Sequence, residues 1–180
     1  MKKELFQEIE IPEGVEVSIE GNLISVKGSE GENKREFNIN QLIFKTEGNK
    51  IIIGKKNSTK REKKLMNTLT AHIKNMIVGV QEKFEYKLKI CFTHFPITVS
   101  INDNEAVIKN FLGERIPRKA KLLDDVEVKV AGDIITINSF NKESAGQTAA
   151  NFEKATRITT RDRRVFQDGI FITNKSGREM

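Results

Sequence analysis

The chain has 180 residues, with 31 lysines and arginines against 25 acids, a formal charge of +6 and no tryptophan. That length suffices for two small domains with cores of their own, and the positive balance suits a phosphate-bearing partner, although a protein of a salty or hot environment shows the same dense charge. A single cysteine, Cys91, excludes an internal disulfide and a cysteine-based zinc site; the absence of any long apolar run excludes a leader or a membrane span, so a cytoplasmic protein is expected.

Val15-Glu16-Val17-Ser18-Ile19 alternates apolar and polar side chains, turns at Glu20-Gly21-Asn22 and resumes as Leu23-Ile24-Ser25-Val26-Lys27, which predicts a β-hairpin. The acids around Glu30 and Glu32 read as turn and surface residues. Gly48-Asn49 leads into the β-branched strand Ile51-Ile52-Ile53. Gly54-Lys55-Lys56 fails as a nucleotide loop, because its spacing from Gly48 is one residue too long and no hydroxyl follows the lysine. Thr59-Lys60-Arg61-Glu62 has the form of a capping box and predicts a helix start. Leu65, Leu69, Ile73 and Ile77 give that helix an apolar face, and Gly79 is placed to end it in a left-handed cap.

A join is expected after Gln81; with no proline and no Gly/Ser run, it predicts a short link and a fairly fixed relation between domains. Phe84, Tyr86, Leu88, Ile90 and Phe92 then alternate as a new first strand, and the earlier pattern returns. Val17-Ser18-Ile19 recurs as Val99-Ser100-Ile101 about 82 residues on, followed by a turn at Asn102-Asp103-Asn104 and by Ala106-Val107-Ile108. Gly132-Asp133-Ile134-Ile135-Thr136-Ile137 repeats the glycine-led strand, and Ser144-Ala145-Gly146-Gln147 repeats the capping box, before a narrower stripe of Ala145, Ala149, Phe152 and Ala155. The expected fold class is α+β: two tandem homologous domains, residues 1–81 and 82–180, each a small, mainly antiparallel sheet packed against one helix.

No catalytic constellation is visible. His72 and His94, the only histidines, read as a helix-edge residue and a strand-end hydrogen-bonder, and Asp124-Asp125 reads as a turn. No cofactor, metal or small-molecule substrate is expected, and the chain is not expected to be an enzyme. The second helix runs instead into Arg157, Arg161, Arg163 and Arg164, whose planar forks suit phosphate. Asp168-Gly169 beyond them predicts a tight turn, with Phe166 pinning the loop to the sheet. Arg115, Arg118, Lys119 and Lys121 make a second basic set; the lysines and Arg61 around the first helix start read equally well as a solvated face. The phenylalanines fall mostly at core-like alternating positions, so no exposed aromatic platform is expected, and recognition should be by charge and shape.

Four blocks carry a family resemblance: Ala71 to Val80, Leu88-Lys89-Ile90 through His94-Phe95-Pro96, Asn110 to Arg115, and Gly146 to Ala150 through Asp162 to Ile170. Together they resemble the large-subunit ribosomal protein six family in its archaeal and eukaryotic form, and the last block is similar to archaeal members. Lys83, Asn151 and Phe171 depart from the usual pattern, where a glycine, an apolar residue and a tyrosine are common. The resemblance implies two homologous α+β domains and a structural role in the large ribosomal subunit, among neighbouring ribosomal proteins. It also implies binding of large-subunit ribosomal RNA mainly through the C-terminal domain, near the sarcin–ricin loop and the translation-factor site. The residues expected to touch RNA are then Arg157, Arg161, Arg163 and Arg164, with Lys175, Arg115, Arg118 and Lys119. The rival reading is a non-catalytic adaptor that docks partner strands on exposed sheet edges.

Overall fold

In the computed structural model, residues 3–37 and 42–180 are described, and the chain divides into two compact units, Met1–Lys83 and Phe84–Met180. The join therefore falls two residues beyond the Gln81 expected from the sequence. In each unit, antiparallel sheets and one helix share a core, so the α+β expectation holds.

Unit 1 contains β1 (Lys3–Glu10), β2 (Glu16–Glu20), β3 (Leu23–Gly28), β4 (Gly31–Glu36), β5 (Ile43–Glu47), β6 (Lys50–Ser58) and α1 (Lys60–Gln81). They form two three-stranded sheets, ordered β1-β6-β5 and β2-β3-β4. The hairpin read from Val15 onward is β2-β3, with Glu20 opposite Leu23. Alternation works here because one face of each sheet is buried: Ile24 and Val26 of β3 and Ile51 and Ile53 of β6 are fully enclosed. Against them α1 lays Met66, Leu69, Ile73, Met76, Ile77 and Val80.

The start of α1 is as expected. The Glu62 carboxylate accepts the Thr59 backbone N–H at 2.9 Å, the Thr59 hydroxyl, and Lys55 Nζ at 3.1 Å. Its end is not. Gly79 is a buried residue inside the helix, which continues to Gln81 and closes at an extended Glu82. No left-handed cap is needed, because the Val80 carbonyl accepts the Glu30 N–H at 2.9 Å and the helix end is satisfied from the β3–β4 turn.

Unit 2 repeats the plan. It contains β7 (Phe84–Cys91), β8 (Thr98–Asn102), β9 (Glu105–Lys109), a single 3-10 turn at Phe111–Gly113, β10 (Arg118–Lys121), β11 (Glu127–Ala131), β12 (Ile134–Ser139), α2 (Lys142–Ala155), β13 (Gly169–Lys175) and β14 (Arg178–Glu179). One sheet is ordered β8-β9-β10 and matches β2-β3-β4; the other is ordered β11-β12-β7-β13-β14. The first three strands of this larger sheet reproduce β5-β6-β1. Gly48 and Gly132 mark the equivalence, each at a left-handed φ near +58° in the turn before its strand.

Two features set unit 2 apart. The second helix begins earlier than Ser144: Asn141 is its cap, with its side-chain oxygen accepting the Glu143 N–H at 3.0 Å, so the Ser144/Gln147 pair lies inside the helix. Asn caps as well as Ser does, and the Ser139 hydroxyl fixes this one by accepting the Asn141 N–H at 3.0 Å. The second feature is β13, which has no counterpart among the described residues of unit 1. It occupies the free edge of β7, running antiparallel from Gly169 opposite Cys91 to Lys175 opposite Tyr86.

Candidate nucleic-acid interface

The arginine-rich loop leaves α2 at Ala155 and rejoins the sheet at Gly169. Its first anchor is Thr156, whose hydroxyl donates to the Phe152 carbonyl at 3.2 Å and accepts the Ile170 N–H at 3.0 Å, tying the helix end to β13. Ile158 comes next, 9% exposed against the unit 2 core. The far anchor is Asp168. Only 6% exposed, it accepts both the backbone N–H of Thr93 at 3.0 Å and the Thr93 hydroxyl at 2.8 Å.

Asp168-Gly169 is therefore not a tight turn: Gly169 opens β13 in sheet register, and Asp168 is a clamp. Phe166 does not pin the loop to the sheet either. It is 36% exposed, with the Arg161 guanidinium stacked 4.8 Å from its ring centre. A cation held over a ring is partly ordered before any partner arrives. Arg164 is ordered differently, bound to Asp162 at 2.8 Å, and that hydrogen bond holds the Asp162 carboxyl below its usual range. Among the described residues no carboxylate pairs with Arg115, Arg157 or Arg163, all exposed.

Arg118 has another task. Its guanidinium grips Glu114 through two bonds of 2.8 and 2.6 Å and donates to the carbonyls of Ala155 at 2.9 Å and Arg157 at 3.3 Å. It also stacks 4.3 Å from the centre of the buried Phe111 ring. This group is a strut that orients the start of the loop. Its hydrogen bonds hold the Glu114 carboxyl below the ordinary range, with a smaller attraction from Arg161. Lys119 faces Glu105 at 2.8 Å. Lys175 stands at the opposite end of β13 from the loop, roughly 20 Å along a strand of this length. The structure thus gathers the four loop arginines and brings Arg118 to the loop's base, while Lys175 lies apart.

Sequence reasoning missed the aromatic side of this region. Phe92, Phe166 and Phe171 line one cavity of about 860 Å³ together with Arg157, Arg163, Lys154, Thr93 and Asp168. Phe92 continues the alternation of β7 in phase with Ile90, but the strand ends at Cys91, so the ring leaves the sheet and is 41% exposed. Phe171 points to the face opposite Ile170, and its ring folds over Gly169, where a Cβ would lie 3.0 Å away. The expectation of no exposed aromatic platform is corrected accordingly. His94 lies edge-on to Phe95, and His72 Nδ1 lies 3.3 Å from Arg35. Among the described residues no group of side chains suits a metal ion, and no helix is long and apolar enough to cross a membrane.

Comparison with known proteins gives the repeat an identity. The family model described as Ribosomal protein L6 matches the chain twice, over residues 11–83 and 95–169. A large ribosomal subunit protein uL6 of Methanobrevibacter smithii is 49% identical over 169 residues, covering 94% of this chain and 95% of that protein. Another uL6, of Methanocella arvoryzae, is 45% identical over 177 residues, covering 98% of this chain and all of its own length. Both organisms are archaea.

Proposed function

This chain belongs to the ribosomal protein L6 family, and on that premise we propose that it is a non-catalytic constituent of the large ribosomal subunit that grips ribosomal RNA mainly through unit 2. The observation that carries the reading is the loop from Arg157 to Asp168, arginine-rich and fixed at both ends, with no counterpart after α1. By analogy with the family, the contact lies near the sarcin–ricin loop and the translation-factor site, with other ribosomal proteins adjacent.

Each guanidinium that meets a phosphate releases condensed counterions, so RNA segments that repel one another are held together by charge neutralisation. The clamps at Thr156 and Asp168 reduce the entropy lost when the loop is fixed on RNA. Among the described residues no carboxylate holds Arg157 or Arg163, Arg161 is oriented by Phe166, and Arg164 exchanges its bond with Asp162 for a phosphate. A double-stranded RNA surface would be read through backbone geometry rather than base identity.

Replacing Arg161, Arg163 and Arg164 together by alanine should flatten the salt dependence of affinity for large-subunit RNA. The expected loss is up to roughly two units of log–log slope, at ~0.7–0.9 per phosphate contact. An unchanged slope would remove these residues from the interface.

A further inference from the structure

Charge neutralisation does not account for the cavity beside the arginine loop. Its volume of about 860 Å³ lies within the ~300–1,000 Å³ typical of small-ligand sites. Three phenylalanine rings line it together, Phe92 at 41%, Phe166 at 36% and Phe171 at 39% exposure. Grouped exposed aromatics of this kind mark contact with a partner. The same cavity is lined by Arg157, Arg163 and Lys154, with Glu153, which accepts the Ile172 N–H, and Asp168 as its acids; a flat occupant with apolar faces and a negative end set at the three basic groups suits that lining.

Asp168 adds an edge preference. Both of its bonds from Thr93 end on Oδ1, and among the described residues no donor meets Oδ2. A carboxylate oxygen accepts and never donates, so the group that meets it must bring a donor hydrogen, which on a nucleotide is a base N–H or a ribose hydroxyl.

We infer that this cavity receives one unpaired nucleotide of the bound RNA, its base against the phenylalanine rings, a base N–H on Asp168 Oδ2 and its phosphate on Arg157 and Arg163. This deepens the RNA reading above and rests on it. Bases inside a helix are stacked and paired, so only an extruded or single-stranded nucleotide has a ring face and an edge to offer. Adenine, cytosine and guanine present an exocyclic amino group. The one donor of uracil sits between two carbonyl oxygens, which the carboxylate repels, so uridine is the poorest occupant.

The test uses the full chain with large-subunit RNA and the variants Phe92→Ala and Phe171→Ala, which leave the Arg161–Phe166 stack in place. Each should weaken RNA binding about tenfold, as loss of a base-stacking ring does, while the salt slope stays at its wild-type value because no phosphate contact is lost. A second measurement does not depend on the variants folding: titration of the wild-type chain with AMP, CMP, GMP and UMP, monitored by NMR. The ring resonances of Phe92, Phe166 and Phe171 and the Thr93 amide should move, least with UMP. Full RNA affinity in both variants, or resonances unmoved by all four nucleotides, overturns the inference. The two readings fail separately: a flattened slope in the arginine triple variant beside full affinity in the phenylalanine variants leaves RNA binding standing and removes the nucleotide pocket.

Discussion

The two units close the end of the same helix by different means. In unit 1 the last turn of α1 is met mainly by backbone: the Glu30 N–H reaches the Val80 carbonyl at 2.9 Å, with the Ser29 hydroxyl farther off at 3.4 Å, and Gly28 lies so close that a Cβ there would stand 2.7 Å from that oxygen. In unit 2 the last turn of α2 is met by a side chain, the Arg118 guanidinium on the carbonyls of Ala155 and Arg157. Either satisfies carbonyls that a helix end leaves unpaired. An arginine bridging the carbonyls on either side of Thr156 also sets the direction of the chain beyond the helix, and it is there that unit 2 adds its loop and β13. Duplication gave one scaffold twice; the side-chain closure accompanies the copy that carries the basic surface.

The sheet edges show the same division. β13 covers the edge of β7, whereas β1 has no described strand on its corresponding side. That edge is a poor docking site for a partner strand, since its register is broken between Lys3 and Leu5 and it carries Glu4, Glu8 and Glu10. Irregularity and charge are the usual protection of an open edge, so the adaptor reading finds little support here.

The largest expected effect concerns packing. The buried face of α1 is spread over six sizeable side chains, whereas that of α2 consists of Ala145, Thr148, Ala149 and the single ring of Phe152. Phe152, fully buried, should therefore cost about 3–5 kcal/mol on truncation to alanine, measured by urea denaturation. Met76→Ala in α1 should fall near the lower end for such changes, about 2 kcal/mol. Equal losses would break the contrast between a concentrated and a distributed helix contact.

Next in size is the closure itself. Arg118→Ala removes charge-assisted bonds to Glu114 and to two carbonyls and should destabilise unit 2 by about 1.5–3 kcal/mol. Arg118→Lys should not restore the loss, because an ammonium cannot span a bidentate carboxylate and a carbonyl pair at once. The matching change in unit 1, Gly28→Ala, forces Cβ against the Val80 backbone and should cost about 1–3 kcal/mol. If Arg118→Ala also lowers the RNA salt slope by a full unit, Arg118 is a phosphate contact and the strut assignment fails.

How much of this could be read in the sequence depends on which signals are local. The hairpin at Val17 and its echo at Val99 were visible because one face of each is buried and the side-chain period is two. β4 was silent: Gly31–Glu36 is charged along its length, and only Asn33 turns fully inward, so no apolar alternation announces it. β10 showed itself as a basic cluster for the same reason, with Ala120 its one buried residue. At the candidate site, the arginines were evident, but their fixings were not. Asp168 meets a residue 75 positions away, and no dipeptide preference can outweigh a contact it does not contain. Phe92 was misplaced because alternation says which face a residue belongs to, and not where the strand stops.

The smallest effect separates the helix starts and depends on pH. α1 begins on a carboxylate and α2 on an amide. The hydrogen bond from the Thr59 hydroxyl, then that from its backbone N–H, lowers the Glu62 pKa from the ordinary 4.5 to about 2. Because folding lowers this pKa, ionised Glu62 favours the folded chain above the unfolded value, and that advantage is lost as pH falls through the folded one. Glu62→Gln should thus destabilise the first turn of α1 at neutral pH, and the difference from wild type should vanish between about pH 4.5 and 2. Asn141 has no proton to gain over this range, so Asn141→Ala should cost about 1 kcal/mol at pH 7 and as much at pH 3. Hydrogen exchange at the two helix starts reads both. A Glu62→Gln penalty that persists at pH 2 would show that Glu62 acts through its shape rather than its charge, and the two caps would then be equivalent in kind.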